Sequence, residues 1–221
     1  METRVIGLCG PIGSGKSTIA AALYKRLPHS VMMSFADGVR DVMELVYDIP
    51  ASQWKDTQFK STPNPAFGGA TPRKGLQLVG TEGFRAFYGD TWVDYLWRRI
   101  KEAHYRIVII DDVRFINEAE FLREIGGDLI YIESKTPEDV AQDASWLATT
   151  KLGNVVNRVL HRFNRKEVHA SEANFTKLRE MADYVVRNNW RVDLPVVSNR
   201  ADQNRYLAVI IKRLLNHLYN H

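Results

Sequence analysis

Cysteine is all but missing from this chain: Cys9 is the single thiol in 221 residues, so no internal disulfide can form. Its place at the end of an apolar run, Arg4 to Cys9, marks it as a buried thiol. No apolar stretch approaches the length needed to cross a bilayer, and no signal segment precedes the first apolar run, so a cytoplasmic protein without a membrane partner is expected. Consecutive basic residues never form a block. The net charge of +4 suits either a nucleic-acid binder or a protein that handles several phosphates, and the lack of a block favours the phosphates. Around His169 no second histidine or cysteine stands at ligand spacing, which argues against a zinc-type site. Internal repeats and low-complexity stretches are absent too.

What is present is an ordinary globular composition, 45% hydrophobic and 25% charged, long enough for one α/β domain with an inserted lid. Its most informative stretch is Gly10-Pro11-Ile12-Gly13-Ser14-Gly15-Lys16-Ser17, between the apolar run and a helical pattern that begins at Thr18. Glycines at 10, 13 and 15 let backbone N–H groups turn inward onto an oligophosphate, and the helix that follows adds its positive dipole end. In this pattern Lys16 reaches the β- and γ-phosphates and the Ser17 hydroxyl ligates Mg²⁺. Gly10, Gly13, Ser14, Gly15, Lys16, Ser17 and Thr18 are the expected ATP-binding set.

Farther along, Ser17 to Arg26 reads as a helix with Ile19, Leu23 and Leu27 inward, ended by Pro28. Val31 to Phe35 is a short strand, and a helix follows with Val39, Val42, Met43 and Val46 inward. Ligands collect at the carboxyl ends of strands in a doubly wound sheet, which places Asp37 and Arg40 beside a second substrate. An N-cap of the next helix is the alternative role for Asp37. From Ile49 to Gly75, repeated Pro and Gly break every period and predict a mobile loop over a site. Beyond it, Gln77, Thr81, Glu82 and Arg85 interleave with Leu76, Leu78 and Val79, which suits either a polar ligand or a solvated helix face. A helix from about Asp90 to Glu102 buries Val93, Leu96, Trp97 and Ile100.

Ile107 to Ile110 is a buried parallel strand ending in Asp111-Asp112-Val113-Arg114. Asp112 is expected to hold Mg²⁺ through water and Arg114 to face the transferred phosphate. Asn117 to Ile125 is a helix closed by Gly126-Gly127, and Leu129 to Ile132 a strand. Residues 135–168 are too long for a plain connection. They read as a lid contributing Arg158, Arg162 and Arg165 to the phosphates, or as a solvated basic helix. Tyr184 to Val186 is a late strand, Asn188-Asn189 a turn signal, and a terminal helix from about Gln203 packs Leu207, Ile210, Ile211, Leu214 and Leu218. The expected architecture is one α/β domain with a parallel sheet. Its core spans 1–48, 104–134 and 169–221, its acceptor region 49–103 and its lid 135–168.

Several pieces, taken together and in order, resemble the deoxynucleoside monophosphate kinases of tailed bacteriophages. They are the phosphate loop, Thr71-Pro72-Arg73, Leu76-Gln77, Gly80-Thr81-Glu82, Trp92-Val93, Asp112-Val113-Arg114, Asn117-Glu118-Ala119, Gly126-Gly127 and His169-Ala170-Ser171-Glu172. The resemblance implies the three-layer α/β/α fold of P-loop nucleoside monophosphate kinases, a phosphotransferase using ATP and Mg²⁺, a deoxynucleotide acceptor and a homodimer. By position it implies that Arg73, Gln77 and Glu82 line the acceptor site and that Arg114 meets the acceptor's phosphate. Asp37, Arg40, Arg85, Trp92 and Glu172 complete the expected acceptor set. The chain departs from the family in a longer lid and in Asn188-Asn189-Trp190, where the family places a glycine after the asparagine.

A monophosphate oxygen is already an anion and needs no base, so positioning and charge neutralisation by Lys16, Arg114, Asp112 and Mg²⁺ suffice for transfer. A hydroxyl acceptor, on a nucleoside, a modified base or a small metabolite, is the alternative and would want a carboxylate base, with Asp37 the candidate. A nucleic-acid-binding ATPase would need a basic stripe with stacking aromatics, and the charge here is scattered.

Overall fold

The computed structural model describes residues 3–50, 52–134, 174–189 and 200–220. Strand β1, Arg4–Cys9, is apolar on both sides because it is covered on both faces. It pairs in parallel with β3, Ile107–Val113, and with β4, Asp128–Glu133, in registers that set Ile6 beside Ile109 and Leu8 beside Ile130. β2, Ser30–Met33, extends the sheet beyond β3, and β5, Tyr184–Arg187, extends it beyond β4. The order is β2-β3-β1-β4-β5, parallel throughout.

Strand periodicity divides the core in two. Ile6, Leu8, Ile109, Ile130 and Ile132 face α1, Lys16–Tyr24, and the terminal α8, Arg200–Asn220. There they meet Ile19, Leu23, Ile210, Ile211 and Leu214. Val5, Cys9, Val108, Ile110 and Leu129 face the other layer, made by α2 (Ala36–Tyr47), α5 (Thr91–Ala103), α6 (Ile116–Glu124) and α7 (Phe175–Met181). Gly7 lets α6 come close, since a Cβ there would run into Leu122 Cδ1. The fold is a three-layer α/β/α with an all-parallel sheet, as expected.

Two expectations are corrected. Val46 is 64% exposed: the inner stripe of α2 is Val39 and Met43 with Val42 beside them, and the helix stops at Tyr47 with Asp48 in the left-handed region at φ 53°. The stretch from Ile49 to Gly75 is not a plain loop. It carries a 3₁₀ turn at Gln53–Lys55, α3 at Thr57–Ser61, a second 3₁₀ turn at Pro65–Phe67 and the start of α4, Pro72–Gln77. Aromatic rings supply the local core that periodicity did not show. Trp54 is fully buried among Tyr47, Phe59 and Phe67, with ring centroids 6.2, 5.5 and 5.7 Å away. A π-helical segment, Leu78–Arg85, then leads towards α5. The expected lid at 135–168 lies outside the described residues.

Candidate active site

Residues 10–15 form the turn from β1 into α1 at the carboxyl end of the central strand, the usual ligand position in such a sheet. Gly10 and Gly15 have φ of 134° and 92°, conformations that side chains rarely adopt. A Cβ at Gly10 would strike Ile132 O, and one at Gly15 would strike Asn188 Nδ2. Lys16 is nearly buried, its ammonium donating to Gly10 O at 2.6 Å and Pro11 O at 2.7 Å. Ser14 is fully buried and its Oγ has no partner among the described residues. Ser17 and Thr18 are exposed at the mouth. A glycine cradle, an orphaned hydroxyl and a lysine resting on the loop's own carbonyls suit an incoming polyphosphate.

One connection here escaped the sequence reading. Asn188, taken as a turn signal, is buried just after β5 and donates from Nδ2 to Ser14 O at 2.8 Å. Its own N–H donates to Glu133 O at 2.7 Å. The residue therefore ties the loop to the ends of β4 and β5. Cys9, below the loop, is fully buried as expected, and burial pushes its thiol up to about 12, which makes it unreactive.

From the phosphate loop a cleft of about 900 Å³ runs between α2, α3, α4 and the end of β3. Lys16, Arg40, Lys55, Lys60, Arg73, Arg85 and Arg114 line it, against Asp37, Asp111, Asp112 and Glu118, so cations outnumber anions. Gln77, Ser17, Thr18 and the edge of Trp92 also reach its wall. The lining places most of the expected site residues around one space.

Asp37 sits inside the first turn of α2, not at its N-cap, which is Phe35. Its Oδ1 is 2.6 Å from Arg40 Nη2 and 3.9 Å from Lys55 Nζ, while Oδ2 accepts from Ser34 N at 2.8 Å. Asp112 is half-buried, and its carboxylate accepts from Ser34 Oγ and, at 3.0 Å, from Phe35 N and Ala36 N. Burial raises its pKa, with Ser34 pulling the other way. Those bonds join β3 to the turn between β2 and α2, a role that a two-residue acidic motif does not announce. Its neighbour Asp111 also lines the cleft. Ser17 and these carboxylates are hard oxygen donors of the kind Mg²⁺ takes.

Glu118, in the first turn of α6, reaches back to accept from Phe115 N at 3.0 Å and Arg114 N at 2.7 Å. Its Oε1 lies 2.7 Å from Arg85 Nη2, and Arg85 stacks over the Phe115 ring at 3.9 Å. Burial pushes Glu118 up to about 7, with the Arg85 charge opposing. Asn117 accepts from Arg85 Nη1 at 3.2 Å, completing a frame that fixes the backbone of Arg114.

Glu82 is the exception among the described acceptor-site candidates. It is outside the cleft lining and pairs with Lys74 at 3.6 Å, both side chains more than half exposed. Trp92 is a core residue first: it is 4% exposed and its Nε1 donates to Gly80 O at 2.8 Å. Glu172, Arg158, Arg162 and Arg165 lie outside the described residues. Lys55, Thr57 and Lys60 reach the cleft from a stretch that turn residues had marked only as loop. The available signal was Asp56, whose carboxylate caps α3. Among the described residues no helix is long and apolar enough to cross a membrane.

No family model matches the chain. A protein of Acanthamoeba polyphaga mimivirus named "Putative deoxynucleotide monophosphate kinase" is 39% identical over 143 residues, covering 58% of this chain and 73% of the viral protein. The deoxynucleoside-5'-monophosphate kinase of Escherichia phage T5 is 46% identical over 55 residues, 24% of this chain and 22% of that protein. Shikimate kinase from Bacteroides thetaiotaomicron has the same fold, with a TM-score of 0.50, 14% identity and 98% of each chain covered.

Proposed function

The chain belongs to the deoxynucleotide monophosphate kinase family, and from that premise we propose that it transfers the γ-phosphoryl group of ATP to a deoxynucleoside monophosphate. The observation that carries this reading is the cleft itself. It begins at a phosphate loop and continues into a wall of Arg40, Arg73 and Arg114, cations suited to a second anion.

The chemistry asks little more than positioning. An acceptor phosphate oxygen attacks in line as an anion, so no proton has to be removed. Lys16 exchanges the carbonyls of Gly10 and Pro11 for the β- and γ-phosphates, and the loop's N–H groups hold the donor. Arg114, its backbone fixed by Glu118, faces the transferred group and spreads the charge that develops. Arg40, Arg73 and Gln77 orient the acceptor. Ser17, with the acidic pair Asp111 and Asp112, would hold Mg²⁺, which neutralises phosphate charge when bound.

The state of Asp37 favours this reading over a hydroxyl acceptor. A general base needs a lone pair aimed at the substrate, and the Asp37 oxygens face Arg40, Lys55 and Ser34 N. The proposal includes a homodimer working in the cytoplasm; sedimentation of the purified chain reads the dimer. ATP consumption against a panel of dNMPs, NMPs and nucleosides tests the activity. Turnover with dNMPs is the expected result, and turnover confined to nucleosides overturns it.

A further inference from the structure

Helix α3 brings one cation into the cleft that no motif announced. Phe59 is packed edge-on against the buried Trp54 ring at 85°, and Trp54 Nε1 donates to Ile49 O at 2.8 Å. Asp56 Oδ1 caps the helix, accepting from Gln58 N at 2.6 Å and Phe59 N at 3.2 Å. With Phe59 held on its aromatic side, the next residue, Lys60, is half-buried and lines the cleft. Arg73 joins it from α4 with Nη2 3.3 Å from Ser61 Oγ.

Among the described residues no carboxylate forms an ion pair with Lys60, whereas Arg40 and Lys55 share Asp37. Burial lowers the Lys60 pKa, and the charges of Arg73, Arg40 and Arg114 lower it further, with Asp56 alone opposing. Like charges gathered in a half-enclosed space raise the energy of the empty site. A doubly charged anion placed among them reverses the sign of that term.

We propose that Lys60 is a ligand of the acceptor's phosphate and a specificity residue that favours a monophosphate over a neutral hydroxyl acceptor. The inference rests on the function proposed above and adds a residue to it. It ranks Lys60 with Arg73 as the outer side of the phosphate cage, carried on a unit anchored by Trp54.

Calorimetric titration of a dNMP and of the matching deoxynucleoside into the full chain, as wild type, Lys60→Gln and Lys60→Arg, tests it alongside steady-state kinetics. Lys60→Gln should weaken dNMP binding roughly 10–100-fold, the range for losing one charged hydrogen bond. Lys60→Arg should recover most of that loss, while deoxynucleoside affinity and the KM for ATP hold. The melting temperature of Lys60→Gln should not fall, because a repelled cation has been removed; a structural lysine would lower it and weaken both ligands alike. Unchanged dNMP affinity in a variant that still phosphorylates dNMPs overturns the inference and leaves the activity standing. A wild-type chain that binds no dNMP overturns both.

Discussion

Arg85 and Glu118 face each other at 2.7 Å with 12% and 2% of their side chains exposed. Removing one partner strands the other without water. Glu118→Ala should therefore cost about 3–5 kcal/mol in urea unfolding, and Arg85→Met in the same background should return part of it. An additive double variant would show that the pair is not coupled.

The same carboxylate gives stability a pH dependence. Glu118 ionises at about 7 in the folded chain against an ordinary value near 4.5, because burial disfavours its charge. In that window the folded state keeps a proton that the unfolded state has released. Stability is thus fully present below about 4.5 and declines as pH rises through 7; the raised Asp112 pushes in the same direction. Between pH 5 and 8 the wild type should lose on the order of 1–3 kcal/mol from Glu118, and Glu118→Gln should flatten the slope. Urea midpoints at several pH values read the difference.

In the proposed mechanism Lys16 supplies charge in the transition state. Lys16→Ala should raise the barrier by about 2–4 kcal/mol, by analogy with the loss of one preorganised donor. Single-turnover measurements at saturating ATP would show it, and near-normal turnover would remove Lys16 from the mechanism.

Asn188 holds the phosphate loop from 174 residues away in sequence. Asn188→Ala leaves Ser14 O short of a donor and should cost about 1–3 kcal/mol of stability, with a raised KM for ATP and an unchanged KM for the acceptor. Gly15→Ala should be severe on its own, since its Cβ meets Asn188 Nδ2, and milder with Asn188→Ala present. The positive φ of Gly15 keeps that rescue partial.

Asp37→Asn separates two acceptor classes. For a monophosphate acceptor the change disturbs Arg40 and Lys55, so it should raise the acceptor KM with the chemical step largely kept. A collapse of the chemical step with binding intact would revive a hydroxyl acceptor.

The sheet and the phosphate loop were legible because each is a local pattern: apolar runs of strand length and glycines at fixed spacing. Arg73, Gln77 and Arg114, the residues that the resemblance assigns to the acceptor, line the cleft. Glu82 did not, since sequence spacing cannot tell a cleft wall from the outer face of a π-helical segment. Lys60 and Asn188 escaped for a different reason. Each owes its position to a partner distant from it in sequence or hidden in an irregular stretch: Asn188 to Ser14, and Lys60 to a four-ring cluster lying under proline and glycine signals.

The aromatic cluster of Tyr47, Trp54, Phe59 and Phe67 also makes residues 53–67 a candidate unit for amide exchange separate from the central strands. Protons on α3 would then be lost through an opening of its own, at lower free energy than those of β1, β3 and β4. The protein could then remodel the side proposed to choose its second substrate without loosening the phosphate loop and its strands.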